Sequence, residues 1–103
     1  MNQEEIVSKI REAIKEDPKK DHIRSVALFG SILHGDFTDK SDVDLLVELR
    51  GRIGLLTLMA VQNRIEDKIG RPVQLVTKED LSKYFRDEVI REAERIYQSD
   101  KTR

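Results

Sequence analysis

Three short runs rich in branched residues alternate with stretches of helical periodicity, and that alternation constrains the fold more than any other feature of the chain. The runs are IRSVALF at Ile23–Phe29, VDLLVEL at Val43–Leu49 and PVQLVT at residues 72–77. Runs of this length, bounded by glycine or proline, read as buried strands. Ile6, Ile10, Ala13 and Ile14 fall at helical spacing ahead of Asp17-Pro18, which predicts a first helix over residues 3–16 that the proline stops. Leu55, Leu58, Met59, Ile65 and Ile69 form a second apolar stripe, with Gly70 as its C-cap. Thr77 and Asp80 have the spacing of a capping box, and Leu81, Phe85, Val89, Ala93 and Ile96 place one apolar face along a last helix. Helices and strands in this order predict an α/β layer arrangement with the strands beneath the helices.

The chain has 103 residues, enough for one core and too few for two, so a single domain over residues 1–103 is expected. Nineteen Lys and Arg against 20 Asp and Glu give a formal net charge of -1, so no overall basic field draws in nucleic acid directly. The absence of cysteine excludes a disulfide framework, a thiolate metal site and a cysteine nucleophile. The N-terminal stretch MNQEEIVSKIREAIKED is broken by charges and suits neither a signal peptide nor a membrane span. A cytoplasmic protein with no membrane partner is the expectation.

The unusual residues gather between the first two strands, in GSILHGDFTDKSDVD. Asp42 and Asp44, at the start of the second strand, project from the same face with alpha carbons roughly 6.5 to 7 Å apart. Val43 between them points to the core. Paired carboxylates repel, and a divalent cation relieves the repulsion. Mg²⁺ suits oxygen donors of this kind, and it usually combines one or two carboxylates with water and substrate phosphates. Gly30-Ser31 directly follows a strand, where a bare backbone admits a phosphate and a hydroxyl can donate to it. The plainer reading is a solvated acidic turn after a common turn dipeptide.

Two other phosphate motifs fail. Gly30 to Gly35 has the glycine spacing of a P-loop, but Asp36-Phe37 stands where Lys and Ser or Thr are needed. Ile32 occupies the second glycine position of a dinucleotide fingerprint.

The pattern Gly30-Ser31, ten residues, Asp42-Val43-Asp44 resembles the signature of DNA polymerase beta-like nucleotidyltransferases. Gly35, Ser41-Asp42 and Leu45-Leu46-Val47 fit its fuller form, and the likeness covers nearly the whole chain. Within that superfamily the chain is most similar to the minimal nucleotidyltransferases that act as antitoxins beside HEPN-type RNase toxins. The resemblance implies a small mixed sheet flanked by helices. It also implies nucleotide contacts from Gly30, Ser31 and Ser41, and metal ligation and catalysis by Asp42 and Asp44. One or two Mg²⁺ ions, ATP as substrate and a HEPN-type toxin as partner in a homo- or hetero-oligomer are implied as well. The implied reaction moves AMP onto a tyrosine hydroxyl of that toxin.

The family's third carboxylate, on the strand after the long helix, is here Gln74 in Val73-Gln74-Leu75-Val76. Glutamine cannot accept a proton as a carboxylate does. Glu48 lies four residues beyond Asp44, roughly 13 Å along an extended strand, and is a poor substitute. His34 stands where many relatives carry arginine, which turns attention to Lys40, Arg50 and Arg52 for phosphate neutralisation. The residues thus leave open a protein adenylyltransferase and a non-catalytic antitoxin of the same fold that neutralises its toxin by binding. Transfer to a small molecule is disfavoured, because a chain this short has no second domain to enclose one.

Overall fold

The computed structural model describes residues 2–35 and 37–99. Met1, Asp36 and residues 100–103 lie outside the described residues. Helix α1 (Gln3–Glu16) starts on Asn2, whose side chain accepts a hydrogen bond from the Glu5 N–H at 2.9 Å. It stops at Asp17, which is extended as a residue before proline must be. Strand β1 (Ile23–Phe29) follows, then a short 3-10 turn at Gly30–Leu33 and strand β2 (Val43–Leu49). Helix α2 (Leu55–Ile69) ends at Gly70, a left-handed C-cap with φ of 74° whose N–H reaches the Glu66 carbonyl at 2.8 Å. Strand β3 (Val73–Val76), helix α3 (Arg86–Glu92) and strand β4 (Glu94–Gln98) complete the order.

The sheet order is β3-β2-β1-β4, with β2 parallel to β3 and the other two pairs antiparallel. The mixed sheet flanked by helices is therefore as expected. One face carries Val26, Leu28, Val43, Leu45, Val47, Val73 and Leu75 into a core completed by Ile6, Ile10 and Ile14 of α1 and by Val61, Ile65 and Ile69 of α2. Alternation along β2 sends Asp44, Leu46 and Glu48 to the opposite face, where Ile90 of α3 and residues Thr77 to Glu79 after β3 line a groove.

The last helix is shorter than the periodicity predicts. α3 ends at Glu92, and Ile96, assigned to the helix's apolar face, is instead buried on β4. Two causes account for this. No residue of α3 is buried, so its pattern earns little packing, and Phe85 and Ile90 stay exposed. Extending as β4 satisfies the edge of β1 through pairs such as Ala27 with Arg95 and buries Ile96 in the core. The Thr77–Asp80 capping box forms as expected, but it closes the 3-10 turn Lys78–Asp80 rather than a long helix.

Candidate active site

Strand register brings the candidate residues together. Phe29, the last residue of β1, is paired with Asp44 of β2, and Asp44 is in turn paired with Gln74 of β3. Gly30 therefore emerges from the sheet over Asp44, with φ of +81°, a conformation that favours glycine. A β-carbon built on Gly30 would overlap the Asp44 Oδ2 and lie 3.2 Å from its Cγ. Buried Ile32 pins the following turn to the core, and Ser31 is left half-exposed at its start.

Asp42 is exposed just before β2, Val43 is fully buried, and Asp44 is half-buried. Burial raises the Asp44 pKa above the ordinary aspartate value, and the neighbouring charge of Asp42 raises it further. Two carboxylates held in mutual repulsion beside a bare glycine backbone form an oxygen donor set that suits one divalent cation and a phosphate. Among the described residues there is no cluster of three or more His, Cys, Asp or Glu that could hold a metal ion, so phosphate oxygens and water would have to complete the coordination.

The other predicted residues divide. Gln74 of β3 sits beside Asp44 on the exposed face. Ser41 Oγ is engaged within its own loop, accepting from the Thr38 N–H at 2.9 Å and lying 3.2 Å from Thr38 Oγ1. Glu48 shares the open face but accepts from Ser25 Oγ at 3.3 Å, two strand positions beyond Leu46 and away from the pair. Arg50 and Arg52 follow the far end of β2, six and eight residues from Asp44, or roughly 20 Å and more. Of the three cations considered for phosphate neutralisation, only Lys40 lies on the loop next to Asp42. His34 Nε2 faces Glu92 Oε2 at 3.4 Å and so ties the Gly30–Leu33 turn to the end of α3.

Sequence reasoning overlooked Arg71, which donates to the Thr38 carbonyl at 2.7 Å and stacks 4.4 Å from the centre of the Phe37 ring. Nothing in the pattern distinguishes it among nineteen Lys and Arg. A groove of about 740 Å³ was also beyond sequence reasoning. It runs over the open face from Ala27 and Leu46 toward Thr77, with Ile90 of α3 as one wall. A second cavity, of about 600 Å³, lies between α1 and β4 at Arg11, Lys15 and Tyr97, and neither cavity is lined by Gly30, Asp42 or Asp44.

Both the fold and the arrangement of glycine, serine and paired aspartates define a nucleotidyltransferase domain. The sequence profile described as "Polymerase beta, Nucleotidyltransferase" matches residues 8–102, and the chain belongs to that family. Over 89 residues it is 33% identical to the protein adenylyltransferase MntA of Thermococcus cleftensis, covering 86% of this chain and 90% of that one. A solved structure of a minimal nucleotidyltransferase superposes with a TM-score of 0.75 at 30% identity, covering 90% of this chain and 94% of the other. The fold also recurs, at 19% identity and a TM-score of 0.72, in a toxin–antitoxin structure with AMP-PNP, over 91% of this chain and 74% of that one.

Proposed function

We propose that this chain is an antitoxin that transfers AMP from Mg–ATP to a tyrosine hydroxyl of a HEPN-type RNase toxin and thereby neutralises it. The observation that carries the reading is the backbone of Gly30 lying on the Asp44 carboxylate next to Asp42, in the spacing of the nucleotidyltransferase signature. The relative MntA is a protein adenylyltransferase, and a solved structure of the same fold holds a tri-AMPylated HEPN toxin from Shewanella oneidensis in complex with its antitoxin. That structure is only 17% identical and speaks for the fold, so the assignment of toxin and acceptor to this chain rests on the relative and on the site chemistry.

In this reading Gly30 and Ser31 hold the triphosphate, and Asp42 and Asp44 hold Mg²⁺ against it. Bound there, Mg²⁺ would supply charge neutralisation at the phosphates and make the acceptor hydroxyl easier to ionise. The hydroxyl oxygen forms a bond to the α-phosphorus, the bond from that phosphorus to the bridging oxygen breaks, and pyrophosphate leaves. The hydroxyl proton passes to water, because the Gln74 amide cannot take it as a carboxylate would. Among the described residues the face that carries Asp44 and Gln74 is open, so in this reading the acceptor's own protein completes the site.

Gln74 beside Asp44 favours a second reading, in which the chain retains the fold and nucleotide binding but neutralises its toxin by covering it. The intact mass of the co-purifying partner, after incubation with ATP and Mg²⁺, separates the two. AMP added by the wild type and lost in Asp44→Ala supports transfer. AMP added only by Gln74→Asp supports neutralisation by binding.

A further inference from the structure

The loop that delivers Asp42 to the sheet is held from both sides by two consecutive residues of another segment. Thr38 and Ser41 close a turn through the Ser41 N–H to the Thr38 carbonyl at 3.0 Å, and Lys40 N–H donates to Thr38 Oγ1 at 3.2 Å. That same Thr38 carbonyl receives the Arg71 guanidinium at 2.7 Å, so its second lone pair is taken by a side chain 33 residues away. The guanidinium carbon also lies over the ring of Phe37, 4.4 Å from its centre, and Phe37 packs against the core. On the other side of Asp42, the Val43 N–H donates to the carbonyl of Pro72 at 2.9 Å. Asp42 is thus suspended between two anchors contributed by Arg71 and Pro72. The Pro72 anchor is backbone and belongs to the start of β3. The Arg71 anchor is a side chain, and it grips a loop that is otherwise exposed from Thr38 to Lys40.

We infer that Arg71 is a positioning residue for the metal site: it fixes the turn at Thr38–Ser41 and so presents Asp42 to the cation beside Asp44. The inference rests on the reading of Asp42 and Asp44 as metal ligands. Arginine fits the task better than lysine, because a guanidinium can sit over Phe37 and donate to Thr38 from a terminal nitrogen at once, whereas an ammonium is a single point charge. Supporting groups of this kind typically alter metal affinity by about tenfold or more when removed.

Charge and geometry predict opposite signs, which makes the role testable. Removing a cation from the neighbourhood of a divalent metal strengthens metal binding if Arg71 acts only through its field. It weakens metal binding if Arg71 positions Asp42. A phosphate-binding role leaves binding of the metal alone no weaker and lowers affinity only for the nucleotide.

The experiment is an Mn²⁺ titration without nucleotide, followed by paramagnetic broadening of backbone amides, on wild type, Arg71→Ala, Arg71→Lys, Phe37→Leu and Asp44→Ala. Nitrogen-15 relaxation of the amides of residues 38–42 is measured on the same metal-free samples. The expected result is about tenfold weaker Mn²⁺ binding and lower order in residues 38–42 for Arg71→Ala. Phe37→Leu, which leaves every charge in place, shifts both readouts the same way, and Arg71→Lys restores them only in part. Unchanged loop order with equal or tighter Mn²⁺ binding in Arg71→Ala overturns the inference, as does full rescue by lysine. Should Arg71→Ala fail to fold, Phe37→Leu and Arg71→Lys decide the matter by the same two readouts. If Asp44→Ala broadens like wild type, or wild type shows no broadening near Asp42, the metal reading fails, and relaxation alone then decides whether Arg71 orders the loop.

Discussion

Gly30 and Asp44 are in such close contact that residue 30 can carry no side chain without displacing the Asp44 carboxylate. The contact follows from register, since Phe29 pairs with Asp44 and the chain must turn immediately over it with a positive φ. Gly30→Ala therefore meets two costs: a left-handed backbone that alanine disfavours, by about 1 kcal/mol, and an overlap with a half-buried carboxylate. We expect a destabilisation of about 1–3 kcal/mol in urea unfolding and loss of nucleotide binding. Unchanged nucleotide affinity in a folded Gly30→Ala protein would remove Gly30 from the site.

Asp44 is predicted to trade stability for function. Its pKa is raised first by burial and second by Asp42, so the folded state binds the proton more readily than the unfolded chain does. Through that window stability falls as pH rises, and the penalty is fully present at neutral pH. Asp44→Asn should melt a few degrees above wild type at pH 7, and the gain should vanish once the pH drops below the ordinary aspartate range. Asp42→Asn should give a smaller gain in the same direction. Mg²⁺ should raise the wild-type melting temperature and leave that of Asp44→Asn unchanged. Melting curves across pH check each of these, and a gain for Asp44→Asn that persisted in acid would contradict the cause given.

A second carboxylate is matched by an opposite charge. Asp17 is wholly buried, accepts both Arg64 Nε at 2.9 Å and an Arg64 terminal nitrogen at 3.0 Å, and also caps the Lys19 N–H at 2.8 Å. Arg64 retains 40% side-chain exposure. The two deletions should differ accordingly. Arg64→Ala leaves a buried charge without its ion-pair partner and should cost about 3 kcal/mol, whereas Asp17→Asn leaves an arginine free to hydrate and should cost less. Denaturant unfolding of the two variants tests the order, which a merely additive surface ion pair would not produce.

The outer edge of β3 is closed by α2 rather than by another strand. Glu66 Oε2 accepts from the Val73 N–H at 2.8 Å and Gln62 Oε1 from the Leu75 N–H at 2.9 Å. Replacing both side chains by alanine exposes two strand donors and is expected to cost about 2 kcal/mol and to promote self-association. Light scattering of the double variant is the check, and a fully monodisperse, equally stable protein would refute it.

Much of this was legible in the residues because the signals were local. Strand lengths, the Asp17-Pro18 stop and the Gly70 cap depend on a few neighbouring side chains, and the Gly30-Ser31 to Asp42-Val43-Asp44 spacing marks the candidate site. β4 was not legible, because Val89, Ala93 and Ile96 satisfy helical spacing equally well and only the unpaired edge of β1 decides for a strand. Arg71 was invisible for a related reason: its partners, Phe37 and the Thr38 carbonyl, are more than thirty residues away and come together only through the parallel pairing of β2 with β3. The engagement of Ser41 Oγ by Thr38 likewise follows from a turn geometry that the Ser-Asp pattern does not encode.

The central claim is nucleotidyl transfer, and it is tested most directly by incubating the chain and its co-purifying partner with ATP labelled at the α-phosphate or, separately, at the γ-phosphate. The account predicts that the α label becomes covalently attached to the partner in a Mg²⁺-dependent reaction that Asp44→Ala abolishes, while the γ label leaves with pyrophosphate. Attachment of the γ label, or of neither label in the wild type while the partner is still neutralised, would contradict it.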